Sequence, residues 1–246
     1  MKNPYLLFDA GGTLAFPDFK YLSQEASNFG IRIKPDKLFQ IHCQMILDLD
    51  CRTQASGHLE DPFPNGYPRT IFKDFVTDGE ILENLVCTVE RRNTEKSLWT
   101  TTRSWIIETL QQLKSLDYPM SVISNSDGRV EQILTELELR PFFDRIFDSH
   151  TLGVSKPDQR IFLTALDTLG LNLEDAIYIG DVFYIDVWGA NQAGLGCIHL
   201  DPHNLYSNWP GVHLPTIAQI PTWLSEIKLK QKQTNIFPAI DIKITY

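Results

Sequence analysis

The chain has 246 residues, of which 43% are hydrophobic and 22% charged. That balance makes one large or two small globular domains and excludes a disordered, collagen-like or fibrous chain. Its 22 basic and 31 acidic side chains leave a net charge of −9, the wrong sign for a generic nucleic-acid or anionic-membrane binder, although a local basic pocket for a small anion stays open. No apolar run approaches the roughly 18 residues of a membrane span, and the stretch before Asp9 is too short for a signal peptide. Cys43, Cys51, Cys87 and Cys197 show no CxxC pairing. They suggest neither a zinc site nor a disulfide framework, so a reducing cytoplasm is the expected compartment.

The first element in chain order is an apolar run, Tyr5–Phe8, stopped by Asp9. Phe16 to Lys96 reads differently, with helical patterns at Leu38–Leu49, Arg69–Phe75 and Ile81–Arg92, a Gly- and Pro-rich loop at Thr53–Pro68, and no convincing strand. Arg103–Leu116 then places Ile106, Ile107, Leu110 and Leu113 on one helical face. The run Met120–Ile123 ends at Ser124, and the helix Arg129–Leu139 follows. A weaker run, Arg145–Phe147, precedes Asp148. Asp158–Leu169 is helical, with Ile161, Phe162, Ala165 and Leu166 on one face and Gly170 ending it. Ala176–Ile179 runs into Gly180-Asp181, Gly196–Leu200 runs into Asp201, and a last helix ends near Lys228.

Continuous apolar runs, without alternation, are what strands covered on both faces show. Alternated with helices, they predict an α/β fold with a Rossmann-like parallel sheet. The expected core is 1–15 and 100–228, with a mostly helical module at 16–99 and a tail at 229–246.

Ligands of an open parallel sheet bind beyond the carboxyl ends of its strands. Those ends carry Asp9, Ser124-Asn125 and Asp181. A single strand-end Asp is commonly a helix cap or turn former; the joint arrangement says more. Phe8-Asp9-Ala10-Gly11-Gly12-Thr13-Leu14, Val122-Ile123-Ser124-Asn125, Val154-Ser155-Lys156-Pro157-Asp158 and Ile179-Gly180-Asp181-Val182-Phe183-Tyr184-Ile185-Asp186 resemble, in order, the four motifs of the haloacid dehalogenase-like hydrolases. The resemblance covers roughly residues 4–228 and includes a helical cap inserted after the first motif.

The resemblance implies a small phosphorylated substrate and a covalent mechanism. Asp9 is the implied nucleophile, forming an aspartyl-phosphate. Asp9, the main-chain carbonyl of Gly11 and Asp181 are the implied Mg2+ ligands, hard oxygens that suit this ion. Asp186 is a further ligand or a partner of Lys156. Ser124 hydrogen-bonds a phosphoryl oxygen, Lys156 neutralises charge developing in transfer, and the N–H groups of Gly12 and Asn125 cradle the phosphate.

One position departs from the family. Its phosphatases carry a second Asp two residues after the nucleophile, where this chain has Gly11. The missing carboxyl would protonate the leaving group and activate water, help typically contributing ~10²–10⁴-fold. Three readings stay open: a weak or specialised phosphatase, a dehalogenase-type enzyme, or a catalytically impaired binding or regulatory protein. Retention of both Asp181 and Asp186 counts against the second.

His42 and His58 are candidates for a substitute acid or base, each equally readable as structural or solvent-exposed. Asp18 and Lys20 lie in the linker into the helical module, and Arg52 and Arg69 are anion contacts or surface charges. His199 and His203 have a metal-like spacing, but Pro202 between them predicts a strand-end loop and no metal site. Trp188 reads as core packing. Neither substrate identity nor oligomeric state has a signal in the sequence.

Overall fold

A computed structural model describes residues 3–231. Its elements, in chain order, are β1 (Tyr5–Phe8), β2 (Phe16–Pro17), α1 (Phe19–Asn28), α2 (Pro35–Ser56), α3 (Tyr67–Phe72), α4 (Gly79–Glu95), β3 (Trp99–Thr101), α5 (Ser104–Ser115), β4 (Met120–Ser124), α6 (Val130–Glu136), β5 (Ile146–Asp148), α7 (Ser149–Leu152), α8 (Gln159–Leu169), β6 (Ala176–Gly180), α9 (Gly189–Gln192), β7 (Gly196–Leu200), β8 (Val212–Leu214) and α10 (Ile220–Gln231). Among the described residues the chain divides into two compact units, 3–16 with 101–231, and 17–100. The tail predicted at 229–246 lies outside the described residues from 232 onward.

The first unit is a six-stranded parallel sheet in the order β5-β4-β1-β6-β7-β8. Every residue of β1, β4 and β6 is buried. These central strands therefore read as unbroken apolar runs because helices cover both faces. The chain leaves β1 toward β4 and β5 on one side and returns to β6, β7 and β8 on the other, which puts the switch point beside β1. Phe8 pairs with Val122 and with Ile179, so Asp9 leaves the sheet between the ends of β4 and β6.

Flanking helices follow local rules. Asp158 caps α8 by accepting from Arg160 N–H at 2.9 Å, and Gly170 closes it in the left-handed conformation at φ 65°. Its apolar stripe, Ile161, Phe162, Ala165 and Leu166, is buried.

The second unit is helical, α1 to α4. One of its elements had no predicted counterpart, and another runs beyond its predicted bounds. The α1 helix has Asp18 as its N-cap, with Phe19, Leu22 and Ala26 on its buried face. The α2 helix extends through Ser56, so the predicted loop is shorter at its start. At the boundary, β2 and β3 pair into a two-stranded sheet where no strand was expected. The short strand β8, at the edge of the main sheet, was also not foreseen.

Candidate active site

The carboxyl ends of β1, β4 and β6 bring four predicted residues together. Asp9 follows β1, Ser124 ends β4, Asp181 follows β6, and Lys156 precedes α8. Asp9 and Lys156 are only 6% and 3% exposed. Asp186 sits in a π-helical turn, Phe183–Trp188, a rare geometry that re-aims side chains and recurs at functional sites. The chain from β6 to this turn must pass very close to itself. A Cβ on Gly180 would lie 2.4 Å from Asp186 Cγ, so only glycine fits there.

Lys156 is the hub. Its ammonium donates to Asp9 Oδ1 at 2.5 Å, to Asp186 Oδ1 at 2.6 Å and to the Tyr178 hydroxyl at 2.8 Å. Its main chain is held separately by the Asn125 amide, which accepts from Lys156 N–H at 2.8 Å and donates to Lys156 C=O at 2.9 Å. The Asn125 side chain is thus a two-point clamp on the lysine loop, a contact the sequence did not disclose.

Asp186 is already well engaged. Oδ1 accepts from Lys156 and from the Tyr178 hydroxyl, and Oδ2 accepts from Val182 N–H at 3.0 Å. Asp181 is less satisfied, with Thr13 Oγ1 donating to its Oδ1 at a long 3.2 Å. Ser124, 4% exposed, makes no side-chain hydrogen bond among the described residues. Of the two backbone donors expected at a phosphate, that of Gly12 is already engaged, donating to Ala15 C=O at 2.8 Å.

The electrostatics follow from burial and from charge imbalance. Burial alone would lower the Lys156 ammonium; Asp186 and Asp9 against it win and raise it to about 12, so it is charged at neutral pH. Burial raises Asp9 to about 6, with Lys156 pulling down and Asp186 pushing up. Asp181 is pushed well above the usual carboxylate range, by burial first and then by Asp9 and Asp186.

Oxygens of Asp9, Asp181 and Asp186 all lie within 4.8 Å of one another. Three carboxylates face one ammonium, so the fully ionised cluster is two charges short of neutral. That deficit and the all-oxygen donor set fit a hard divalent cation. The backbone makes room for it: Gly12 has φ +85°, and a Cβ there would lie 2.1 Å from Asp181 Oδ2. Gly11 is not among the left-handed glycines.

Several candidates belong to the helical unit, and one to the packing of the sheet unit. His58 is a surface residue, its side chain 71% exposed and paired with Glu60 at 3.2 Å. Arg69 pairs with Glu83, and Arg52 donates to Asp61 C=O at 3.4 Å. Asp18 caps α1, Lys20 is exposed and Trp188 is buried packing. His42 is buried inside the helical unit, where burial lowers it to about 4.

His199 falls in the strand that the run Gly196–Leu200 predicts. It lies within β7, fully buried, with Nε2 at 3.0 Å from the Asp181 carbonyl and Nδ1 at 2.9 Å from His213 Nδ1. The carbonyl can only accept, so His199 Nε2 carries a proton and steadies the main chain of Asp181. His203 is exposed in the following loop, and no histidine joins a metal-like cluster among the described residues. Tyr178, Thr13 and His199 had no local signal. Their roles come from strand register and the Asp9 loop.

A sequence profile of the haloacid dehalogenase-like hydrolase family matches residues 59–200, more than half of the chain. The chain belongs to this family. A glyceraldehyde 3-phosphate phosphatase of Methanopyrus kandleri is 31% identical over 96 residues, 39% of this chain and 41% of that protein. Haloacid dehalogenase-like hydrolase domain-containing protein 3 of Mus musculus is 37% identical over 87 residues, 35% of each chain. The matches thus span well under half the length of these relatives. Among solved structures, a HAD phosphatase from Thermococcus onnurineus aligns with a TM-score of 0.56 at 20% identity, over 90% of this chain and 97% of that one. A 2-haloacid dehalogenase from Pseudomonas syringae aligns with a TM-score of 0.54 at 21% identity, over 92% and 100%. Phosphatase and dehalogenase fit about equally, so the fold does not choose between the two chemistries. No helix among the described residues is long and apolar enough to cross a membrane.

Proposed function

We propose that the protein is a Mg2+-dependent phosphatase that acts on a small phosphorylated metabolite through an aspartyl-phosphate on Asp9. The observation that carries this reading is the uncompensated acidic trio around a carboxylate pinned by lysine. Displacement of halide by a carboxylate needs no cation, whereas attack on a phosphoryl dianion does, so the surplus of negative charge favours phosphate chemistry. The phosphatase names of several relatives, matched over part of the chain, support the same reading and make glyceraldehyde 3-phosphate the first substrate to try. The four cysteines have no CxxC spacing, which fits a reducing compartment such as the cytoplasm.

Asp9, the Gly11 carbonyl and Asp181 would hold the ion, which supplies positive charge between the nucleophile and the phosphoryl group. Asp186, with three donors already on its oxygens, serves Lys156 first. Lys156 holds Asp9 Oδ1, so Oδ2 is the oxygen presented for attack. In the first step Oδ2 bonds to phosphorus, the bond from phosphorus to the leaving oxygen breaks, and that oxygen departs with the electron pair. The unpartnered Ser124 hydroxyl donates to a phosphoryl oxygen, and the Lys156 charge acts beside the nucleophile through Asp9. In the second step water attacks phosphorus, the bond from phosphorus to Asp9 Oδ2 breaks, phosphate leaves with the protons of the water and passes the excess to solvent, and the Asp9 carboxylate is restored.

Gly11 offers no proton to the leaving oxygen and no base to the water. Both steps are slowed unless the leaving group departs unprotonated or another group supplies the proton. Aryl and acyl phosphates should therefore outpace alkyl phosphates by a wide margin. The test is phosphate release from a panel of phosphorylated metabolites, aryl and acyl phosphates, with and without Mg2+, beside halide release from a 2-haloacid. Mg2+-dependent phosphate release supports the proposal. Metal-free halide release replaces it with a dehalogenase, and neither product leaves a binding protein.

A further inference from the structure

We propose that Tyr178 is a positioning residue for Lys156, its hydroxyl fixing the third proton of the ammonium that orients Asp9. The proposal rests on the phosphatase reading for its kinetic consequence but on geometry for its substance. A lysine ammonium has three protons and no acceptor capacity. Two of these protons go to the carboxylates of Asp9 and Asp186, and the third goes to Tyr178 Oη at 2.8 Å. The hydroxyl's own proton goes to Asp186 Oδ1 at 2.9 Å, with the Ile123 carbonyl a longer alternative at 3.3 Å. Tyr178 thus accepts from the ammonium and donates to the carboxylate, closing a triangle in which each polar atom has a partner.

The ring is not free to swing. Tyr178 is fully buried in the central strand β6, and Phe162 of α8 packs edge-on against it at 5.0 Å and 90°. The root of Lys156 is fixed independently by the Asn125 clamp. Four flexible bonds therefore lie between a fixed root and a tip held at three points. Replacing the hydroxyl with hydrogen leaves one buried ammonium proton with no acceptor and lets the tip rotate between the two carboxylates. Asp9 Oδ1 is then no longer held in one place.

The substitution is Tyr178→Phe, which removes one oxygen and keeps the ring. In full-length protein labelled with nitrogen-15 lysine, the wild-type Lys156 ammonium should exchange its protons slowly, its signal identified by its loss in Lys156→Met. Tyr178→Phe should speed that exchange by about tenfold or more. With Mg2+ and p-nitrophenyl phosphate, kcat should fall about tenfold or more while KM and the Mg2+ half-saturation stay within about twofold. In a Lys156→Met background the same change should have no further effect on kcat. A wild-type Lys156 ammonium exchanging as fast as exposed lysines would overturn the proposal without any variant. So would unchanged exchange in Tyr178→Phe, or an equal loss of kcat in both backgrounds. If no phosphate is released by the wild type yet the ammonium signal is lost in Tyr178→Phe, the phosphatase reading falls and the positioning role stands.

Discussion

In the sheet unit the buried ammonium of Lys156 meets three acceptors and the buried carboxylate of Asp186 meets three donors. In the helical unit the buried imidazole of His42 has one long contact, Nδ1 to Tyr67 Oη at 3.3 Å, and an Nε2 with no partner. The first unit keeps charge inside by surrounding it. The second keeps a titratable group inside by leaving it neutral, packed against Phe19 and Tyr67. Paired charges in a dry interior give strong, oriented fields, whereas an unpartnered polar atom contributes only the tendency to stay uncharged. The paired charges suit the proposed chemistry, and the neutral imidazole does not.

The most severe test of that contrast is Asp9→Asn. The amide is nearly the same shape but is not a nucleophile, so phosphate release from an aryl phosphate should drop below detection while circular dichroism stays unchanged. Wild-type activity in the variant would remove Asp9 from the mechanism.

The next effect is on the helical unit. His42 is lowered from 6.5 to about 4 by burial, so the folded state binds fewer protons there than the unfolded chain. Its contribution to stability is complete above about pH 6.5 and is lost as pH falls toward about 4, worth about 3 kcal/mol in all. His42→Leu should flatten this acid limb when urea unfolding is compared at the two ends of the window. His199, lowered to about 4 in the sheet unit, titrates in the same direction. The readout is therefore the difference between variant and wild type, and an identical slope would show that His42 finds a proton acceptor after all.

Gly11→Asp should act in the sheet unit alone. The backbone there is not left-handed, so an Asp meets no conformational bar. Turnover of alkyl phosphates should rise about tenfold or more, within the ~10²–10⁴ of acid–base catalysis. A variant that folds and binds Mg2+ as before but is no faster would mean that the missing carboxyl does not limit the protein.

The smallest effect is Asp78→Ala at the start of α4. The carboxylate caps Glu80 N–H at 2.9 Å and Ile81 N–H at 3.1 Å, and its loss should lower stability by about 1 kcal/mol. Phosphate release by the folded variant should be unchanged.

Much of the sheet unit was legible because its central strands are buried on both faces. β1 and β7 have the bounds expected of their apolar runs, and β4 and β6 each extend one residue further, through Ser124 and Gly180. The signal for α1 is short, Phe19, Leu22 and Ala26 after the Asp18 cap. β8 had little signal: three half-buried residues, Val212–Leu214, gain their strand character only from pairing with β7.

The sequence by itself determined which polar residues stand at the carboxyl edge of the sheet, because unbroken apolar runs define where strands stop. It also determined that the first loop would be built on glycine, and Gly12 indeed leaves no room for a Cβ beside Asp181. Only the tertiary structure decided that Asn125 grips the Lys156 main chain, that Tyr178 shares its hydroxyl between Lys156 and Asp186, and that His199 reaches the Asp181 carbonyl. The lysine bonds residues 22 positions away at Tyr178 and 147 away at Asp9. Hydrogen bonds need alignment within a few tenths of an ångström, and across such separations that alignment is set by strand register and helix packing, not by local pattern.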